Sequence, residues 1–292
     1  MKGIARYAID RNARYVVVCC GSVSFIILLA IAVFTFREGL PAFRQVGLLD
    51  FLFGTEWRPG EGQFGILPMV VGSIVVTIGS MLMAVPVGIA CAILLAEVAP
   101  PRIRDLLRPA VELLVGIPSV VYGLVGLLLV VPAVRQIGGN GFSVAAASLV
   151  LMAMVLPTII SISEDSIRAV PAEYRDGALA LGATRWQTIR HVLLPAARAG
   201  ITAAVVLGMG RAVGETMAMI MVIGNSVKIP SSPLSSARTL TGNIAVEINY
   251  ACGLHEDALF ATGAVLFLVI VVLNSIATVV LRRGGVGRQH VG

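Results

Sequence analysis

Six stretches of this chain, 15–36, 69–95, 110–134, 144–163, 199–223 and 258–281, are apolar and long enough to cross a bilayer, which takes about 20 helical residues. That feature decides the fold class. Backbone N–H and C=O groups find no water in hydrocarbon, so a single spanning segment must close its hydrogen bonds within itself as a helix. The chain is expected to be all-α, a polytopic membrane protein with six transmembrane helices. Charge content agrees: 13% of the 292 residues are charged, against roughly 25% in soluble domains. The first apolar run follows a basic start, as in a signal peptide. It is too long for that, and Arg37-Glu38-Gly39 offers no small-residue cleavage site. It is expected to stay as the first span.

Arginine and lysine are unevenly divided between the two sides. Fifteen fall in the N-terminal tail, the loops after the second and fourth spans, and the C-terminal tail; six fall on the opposite side. Loops rich in Lys and Arg stay in the cytoplasm. Both termini are therefore expected inside, giving a cytoplasmic tail at 1–14, a first span at 15–36, an extracytoplasmic loop at 37–65, a core at 66–281 and a second tail at 282–292. The net charge of +6 thus reports topology, and no basic-aromatic patch points to nucleic acid. In the loop at 37–65, Phe51, Phe53 and Trp57 suit the aromatic belt of the membrane interface. The alternative is a landing surface for an extracytoplasmic partner. A second outer loop, 225–257, holds a stretch at 239–251 expected to form a short helix over the outer mouth.

Several function classes are excluded. No GxxxxGK[ST] phosphate loop is present, so this chain is not expected to hydrolyse ATP. Cys19, Cys20, Cys91 and Cys252 provide neither a disulfide framework nor a metal site. His191, His255 and His290 lie in separate segments with no nucleophile to serve, and surface or structural roles are expected for them. No catalytic residue, metal or bound cofactor is expected.

The loop after the fourth span, at 171–195, is the most structured polar segment. Pro171 suits a first helical turn, and Glu173 follows where the helix dipole favours negative charge. The run ends at Gly182, which tolerates the left-handed conformation of a helix C-terminus. Thr184 with Gln187 three residues on reads as a capping box for a second short helix. Pro195 then opens the next apolar segment. The result is a compact polar knuckle between two spans.

The fifth span carries Arg211 and Glu215 near its middle, where an arginine costs about 2.5–3.5 kcal/mol on insertion scales. On a continuous helix, Gly200, Ala204, Gly208, Arg211 and Glu215 share an arc of about 80°. Small residues on that face let a neighbouring helix approach closely. The two charges form either an i, i+4 ion pair within the bundle or an anion contact. In the latter, the planar guanidinium of Arg211 would meet oxyanion oxygens and Glu215 would orient it.

Asp176-Gly177-Ala178, three residues, Gly182, nine residues, Val192, one residue and Leu194-Pro195 together resemble the EAA loop of ABC importer permeases. There the pattern is Glu-Ala-Ala, three residues, Gly, nine residues, Ile, one residue, Leu-Pro. Asp176, Gly177 and Val192 depart from it, the first keeping the charge and the second lowering helix propensity by up to about 1 kcal/mol. Three further segments, GRAVGETMAM, FLFGTEWRP and VELLVGIPSVVYGL, are similar to permeases of the phosphate-specific ABC importer, of the PstC type. The likeness runs from about Phe51 to Leu281. It implies the type I importer architecture in a bacterial cytoplasmic inner membrane, with phosphate as cargo. It implies a second permease of the PstA type, PstB-type ATPase subunits that use ATP and magnesium, and an extracytoplasmic PstS-type phosphate-binding protein. It further implies that Glu173, Tyr174, Asp176, Gly182 and Trp186 couple to the ATPase; with phosphate as cargo, the anion-contact reading puts Arg211 and Glu215 on the substrate path. A permease for sulfate or molybdate and an ion-coupled carrier are the alternatives.

Overall fold

The computed structural model describes the backbone of residues 2–283 and the side chains of 15–279; Arg288 and His290 lie outside the described residues. The chain opens with α1 (Lys2–Val46) and a short α2 (Leu48–Phe53). A two-stranded hairpin follows, β1 (Trp57–Arg58) antiparallel to β2 (Gln63–Phe64), with Trp57 opposite Phe64. Then come α3 (Leu67–Ile93), a π-helical end to it at Leu94–Val98, and α4 (Pro101–Val115). The next stretch is α5 (Ser119–Val125), a second π segment at Gly126–Val130, and α6 (Val131–Ile137). After these come α7 (Val144–Arg168), α8 (Ala172–Ala180), α9 (Arg185–Thr188), a third π segment at Ile189–Leu193 and α10 (Leu194–Ala196). The chain closes with α11 (Arg198–Gly214), α12 (Met217–Val222), α13 (Leu240–Glu247) and α14 (Leu254–Arg283).

Among the described residues, five helical stretches are long and apolar enough to cross a membrane, and a pair bent by 69°, Arg185–Ala196 with Arg198–Gly214, raises the number to six. Three boundaries differ from expectation. The first helix runs on past Phe36 to Val46. The third span, expected at 110–134, is instead Ser119–Ile137. Residues 110–115 belong to the amphipathic α4, which buries none of its side chains. Pro118 lacks an N–H and pushes Ile117 out of the helical region, so the helix breaks at Gly116-Ile117-Pro118. The fifth span is broken at Glu215–Thr216 between α11 and α12.

The core sits where α3, α7 and α11 meet. Ile159 of α7 is fully buried. It lies between Gly88 of α3 and Gly208 of α11, where an added Cβ would stand 2.7 Å and 3.0 Å from its side chain. Gly200 and Ala204 also turn toward the interior, Gly200 onto Ser166. The small-residue face of the fifth span is thus the face packed on α7. Lipid is as apolar as leucine, so such close van der Waals approach, rather than burial from water, holds spanning helices together. The same reasoning explains why residues 15–36 of α1, largely exposed and leaning on α14 through Phe34–Phe260 and Phe36–Phe267 edge contacts, need no further cover.

A second core closes the hairpin end. Phe51, Ile66, Leu240 and Leu259 are all at most 1% exposed, and Trp57 and Phe64 stack edge-to-face at 5.4 Å. This corrects the expectation of an aromatic belt. Phe51 and Trp57 are interior residues, and only Phe53, 65% exposed, remains to face the surroundings.

Candidate functional site

The knuckle is a strap carrying α8 and α9 across the end of the bundle opposite the hairpin. The turn between α8 and α9 is capped locally, while the start of α8 at Pro171 has no side-chain cap. The Ala183 N–H reaches the Ala178 carbonyl and the Gly182 N–H that of Leu179, with Gly182 left-handed at φ +86°. This is the Schellman ending, which satisfies carbonyls that a helix otherwise leaves open. Thr184 and Gln187 form the expected capping box, each side chain bonded to the other's backbone N–H at 3.3 Å and 2.8 Å. Pro171 stands at the N-cap rather than within the first turn. Glu173, Tyr174, Asp176, Gly182 and Trp186 are all exposed, as are the apolar Leu179 and Leu181. Between the knuckle and the end of α3 lies a groove of about 550 Å³ lined by Glu97, Val98, Arg175, Leu179, Trp186 and Ile189 among others. Arg175 spans it to pair with Glu97.

Beside the knuckle, α4 is tied to α7 by charge. Arg108 meets Asp165 at 2.9 Å and Glu112 at 3.1 Å. Its guanidinium pKa is held above the ordinary value, first by the hydrogen bond to Glu112 and then by the nearby Asp165. Arg168 Nε lies 2.9 Å from the buried Glu164.

The intramembrane charges do not meet each other: among the described residues the expected ion pair is absent, and Glu215 does not orient Arg211. Because α11 ends at Gly214, Glu215 leaves the helical face, its backbone extended at ψ 129°. Its carboxylate turns to the start of α12 and accepts from the Ala218 N–H at 3.0 Å. Negative charge there complements the helix dipole. Its carbonyl accepts from the Thr241 hydroxyl of α13 at 2.9 Å. Among the described residues no Arg211–Glu215 salt bridge exists, which removes the i, i+4 ion pair; that pair required a continuous helix. Arg211 instead lies in the last turn of α11, half-buried, and donates to the Thr158 hydroxyl of α7 at 3.3 Å. Thr158 is ten residues from the end of α7, about 15 Å along the helix, so the guanidinium sits deep in the bundle. It has no carboxylate to neutralise it among the described residues.

The sequence pattern of binding-protein-dependent transport system inner membrane components matches residues 84–284. The chain belongs to that family. The match covers the knuckle and Arg211 and leaves out α1 and the hairpin. Longer relatives extend the likeness. The probable ABC transporter permease protein YqgH of Bacillus subtilis is 43% identical over 265 residues, 88% of this chain and 86% of that one. The phosphate transport system permease protein PstC of Xylella fastidiosa is 36% identical over 82% of this chain and 80% of its own. That of Haemophilus influenzae is 34% identical over 84% of each. Among solved structures, a chain of a bacterial alginate ABC transporter covers 95% of this chain with a TM-score of 0.65 at 18% identity. A chain of the MetNI methionine ABC transporter covers 78% with 0.60 at 19%. These share the type I importer fold, and an ion-coupled carrier is not favoured. Membership implies that the permease works with an ATPase and a substrate-binding protein.

Some of the permease's polar structure had no signal in the sequence. Thr158 lies 53 positions from Arg211 in an apolar run, without a motif to mark it. At the hairpin end, Glu247 accepts from Trp57 Nε1 at 2.8 Å and from Arg238 at 2.6 Å, and bonds His255 Nε2 at 2.9 Å. Arg238 also donates to the Asn243 side chain and the Asn225 carbonyl. The helix expected near 239–251 is α13, with Thr239 as its N-cap. His255 takes the structural role expected of it.

Proposed function

We propose that this permease moves inorganic phosphate into the cytoplasm as one transmembrane subunit of an ATP-driven importer. The observation that carries the substrate is the series of relatives named phosphate transport system permease PstC, 32–36% identical over four-fifths or more of this chain. The reading sets the permease in a bacterial cytoplasmic membrane with a PstA-type partner, PstB-type ATPase subunits and a PstS-type binding protein. The distribution of arginine supports placing the knuckle and both termini in the cytoplasm, beside ATP. Exposed Glu173, Tyr174, Asp176, Gly182 and Trp186 then meet the ATPase. Arg211 meets the anion: it is a deep guanidinium whose one side-chain partner among the described residues is a hydroxyl, free to turn its planar donors to oxygens. Glu215 acts one step away, by holding open the break in the span that carries Arg211.

The test is uptake of labelled phosphate and of labelled sulfate by the assembled importer in vesicles, for the unaltered chain and for Arg211→Gln. Hydrogen bonds to charged groups are worth about 1.5–3 kcal/mol, so Arg211→Gln is expected to assemble normally and lose roughly 10- to 100-fold in phosphate uptake. Sulfate carried as well as phosphate would overturn the substrate. Undiminished uptake by Arg211→Gln would take Arg211 off the path.

A further inference from the structure

We propose that the Glu97–Arg175 ion pair is the joint through which movement of the knuckle enters the bundle, making the two a positioning pair for transport. This rests on the knuckle being the ATPase contact. The pair is the one polar link between α8 and the spanning helices among the described residues. Otherwise α8 buries no residue, and its main packing neighbours, α9 and the π segment Ile189–Leu193, belong to the same strap. The α8 arm of the knuckle is therefore held across its groove by a charged bridge, whereas the following segment is seated on the bundle through the buried Ile189 and Leu193.

The two ends of that bridge are unequal. The Glu97 side chain is 8% exposed and that of Arg175 is 37% exposed. Glu97 sits in the wide π turn that ends α3, closed by the Ala99 N–H on the Leu94 carbonyl. Such turns are rare and often mark functional points. An apolar contact can slide, whereas a charge-assisted bond to a nearly buried carboxylate is directional. Breaking it strands a buried charge. A pull on Arg175 is thus a pull on the end of α3.

From there the contacts are continuous to mid-depth. Gly88 of α3 is nine residues from Glu97, about 13 Å along the helix. It packs on Ile159, and Ile159 packs on Gly208 of α11. Thr158, the neighbour of Ile159, holds Arg211. A second route exists through the backbone, from α9 and the π segment around the 69° bend into α11. Spatial continuity alone does not establish coupling, so the two routes must be separated by altering one of them.

The experiment uses the full importer in vesicles, with Glu97→Arg, Arg175→Glu, the double exchange Glu97→Arg with Arg175→Glu, and Arg175→Lys. Two quantities are read: ATPase subunit retained on purification, and phosphate moved per ATP hydrolysed. Each charge reversal alone is expected to keep its ATPase subunits and lower phosphate per ATP roughly tenfold, in the usual range of coupling between sites. The double exchange is expected to recover most of the ratio, and Arg175→Lys to stay near the unaltered value. A generally weakened fold would lower the amount of complex without changing the ratio. Reversals with ATPase attached and an unchanged ratio would overturn the joint while leaving the docking surface intact. So would a double exchange no better than its parents, whether the parents fail in ratio or in assembly. An unaltered chain that retains no ATPase subunit would overturn the docking reading itself, and the joint with it.

Discussion

At the hairpin end, Glu247 binds Trp57, Arg238 and His255 together, with its side chain 8% exposed and aromatic rings packed around it. At the knuckle end, Tyr174, Trp186 and Leu181 stand 56%, 60% and 91% exposed, and among the described residues a single ion pair bridges α8 to the bundle. Both ends are polar segments joining apolar spans, yet one is finished inside the chain and the other is not. The difference follows from what each must do with its charges. A buried carboxylate is tolerable only when its partners are supplied, and Glu247 draws them from the hairpin, the loop before α13 and the start of α14. The knuckle supplies its own helix caps and leaves its large side chains for a surface outside the chain.

The comparison breaks most severely at Glu247. Glu247→Ala removes the shared acceptor and leaves Arg238, 13% exposed, without its anion. Removing one member of a buried pair costs about 3–5 kcal/mol, a large share of a stability of about 5–15 kcal/mol. Thermal unfolding of the detergent-solubilised complex is expected to shift down strongly. A midpoint within error of the unaltered protein would mean that the knot is ornamental to the fold.

Gly182→Trp probes the open end and is expected to cost less. A Cβ at Gly182 meets nothing within 4 Å, so the penalty is the left-handed backbone alone, about 1–2 kcal/mol, confined to the turn between α8 and α9. The melting midpoint is expected to move little while phosphate uptake falls sharply, because the indole stands on the proposed ATPase contact. Normal uptake with normal co-purification of the ATPase subunits would remove the knuckle from docking.

What could be read from the sequence tracks this same division. The knuckle was legible because its determinants are local: Thr184 and Gln187 are three residues apart, and Gly182 ends the helix it follows. The spans were legible because apolar length is itself the signal. The knot was not, since Trp57 meets Glu247 across 190 positions, and an aromatic in an outer loop reads equally well as a lipid-facing residue. The break in the fifth span was hidden for the same reason. Nothing within GRAVGETMAM forces a helix to stop, and the carbonyl freed there is met by Thr241, 26 residues on. That one tertiary contact accompanies the loss of the expected Arg211–Glu215 geometry. The Arg175–Glu97 link, across 78 positions, was equally out of reach.

The smallest expected effect on folding gives the sharpest form of the comparison, a single substitution made at both ends. Leu240→Ser acts on a fully buried side chain in the hairpin-end core. Truncating a buried leucine costs about 2–5 kcal/mol, and the serine hydroxyl adds a polar group with its own need for a partner. Leu181→Ser acts on a side chain that is 91% exposed, where a substitution is worth no more than about 0.5 kcal/mol in the isolated chain. Hydrophobicity alone therefore predicts that Leu181→Ser is silent everywhere. The proposed docking predicts otherwise. A leucine covered by a partner contributes about 1.5–3 kcal/mol through burial, so Leu181→Ser is expected to weaken retention of the ATPase subunits by roughly tenfold or more, while the melting midpoint of the free permease stays put. Titrating ATPase subunits against each variant in nanodiscs, beside thermal unfolding of the permease alone, measures both quantities. Affinity unchanged at Leu181 would leave its exposure without a purpose in docking. A melting midpoint that fell as far as for Leu240→Ser would mean that the knuckle end is packed after all.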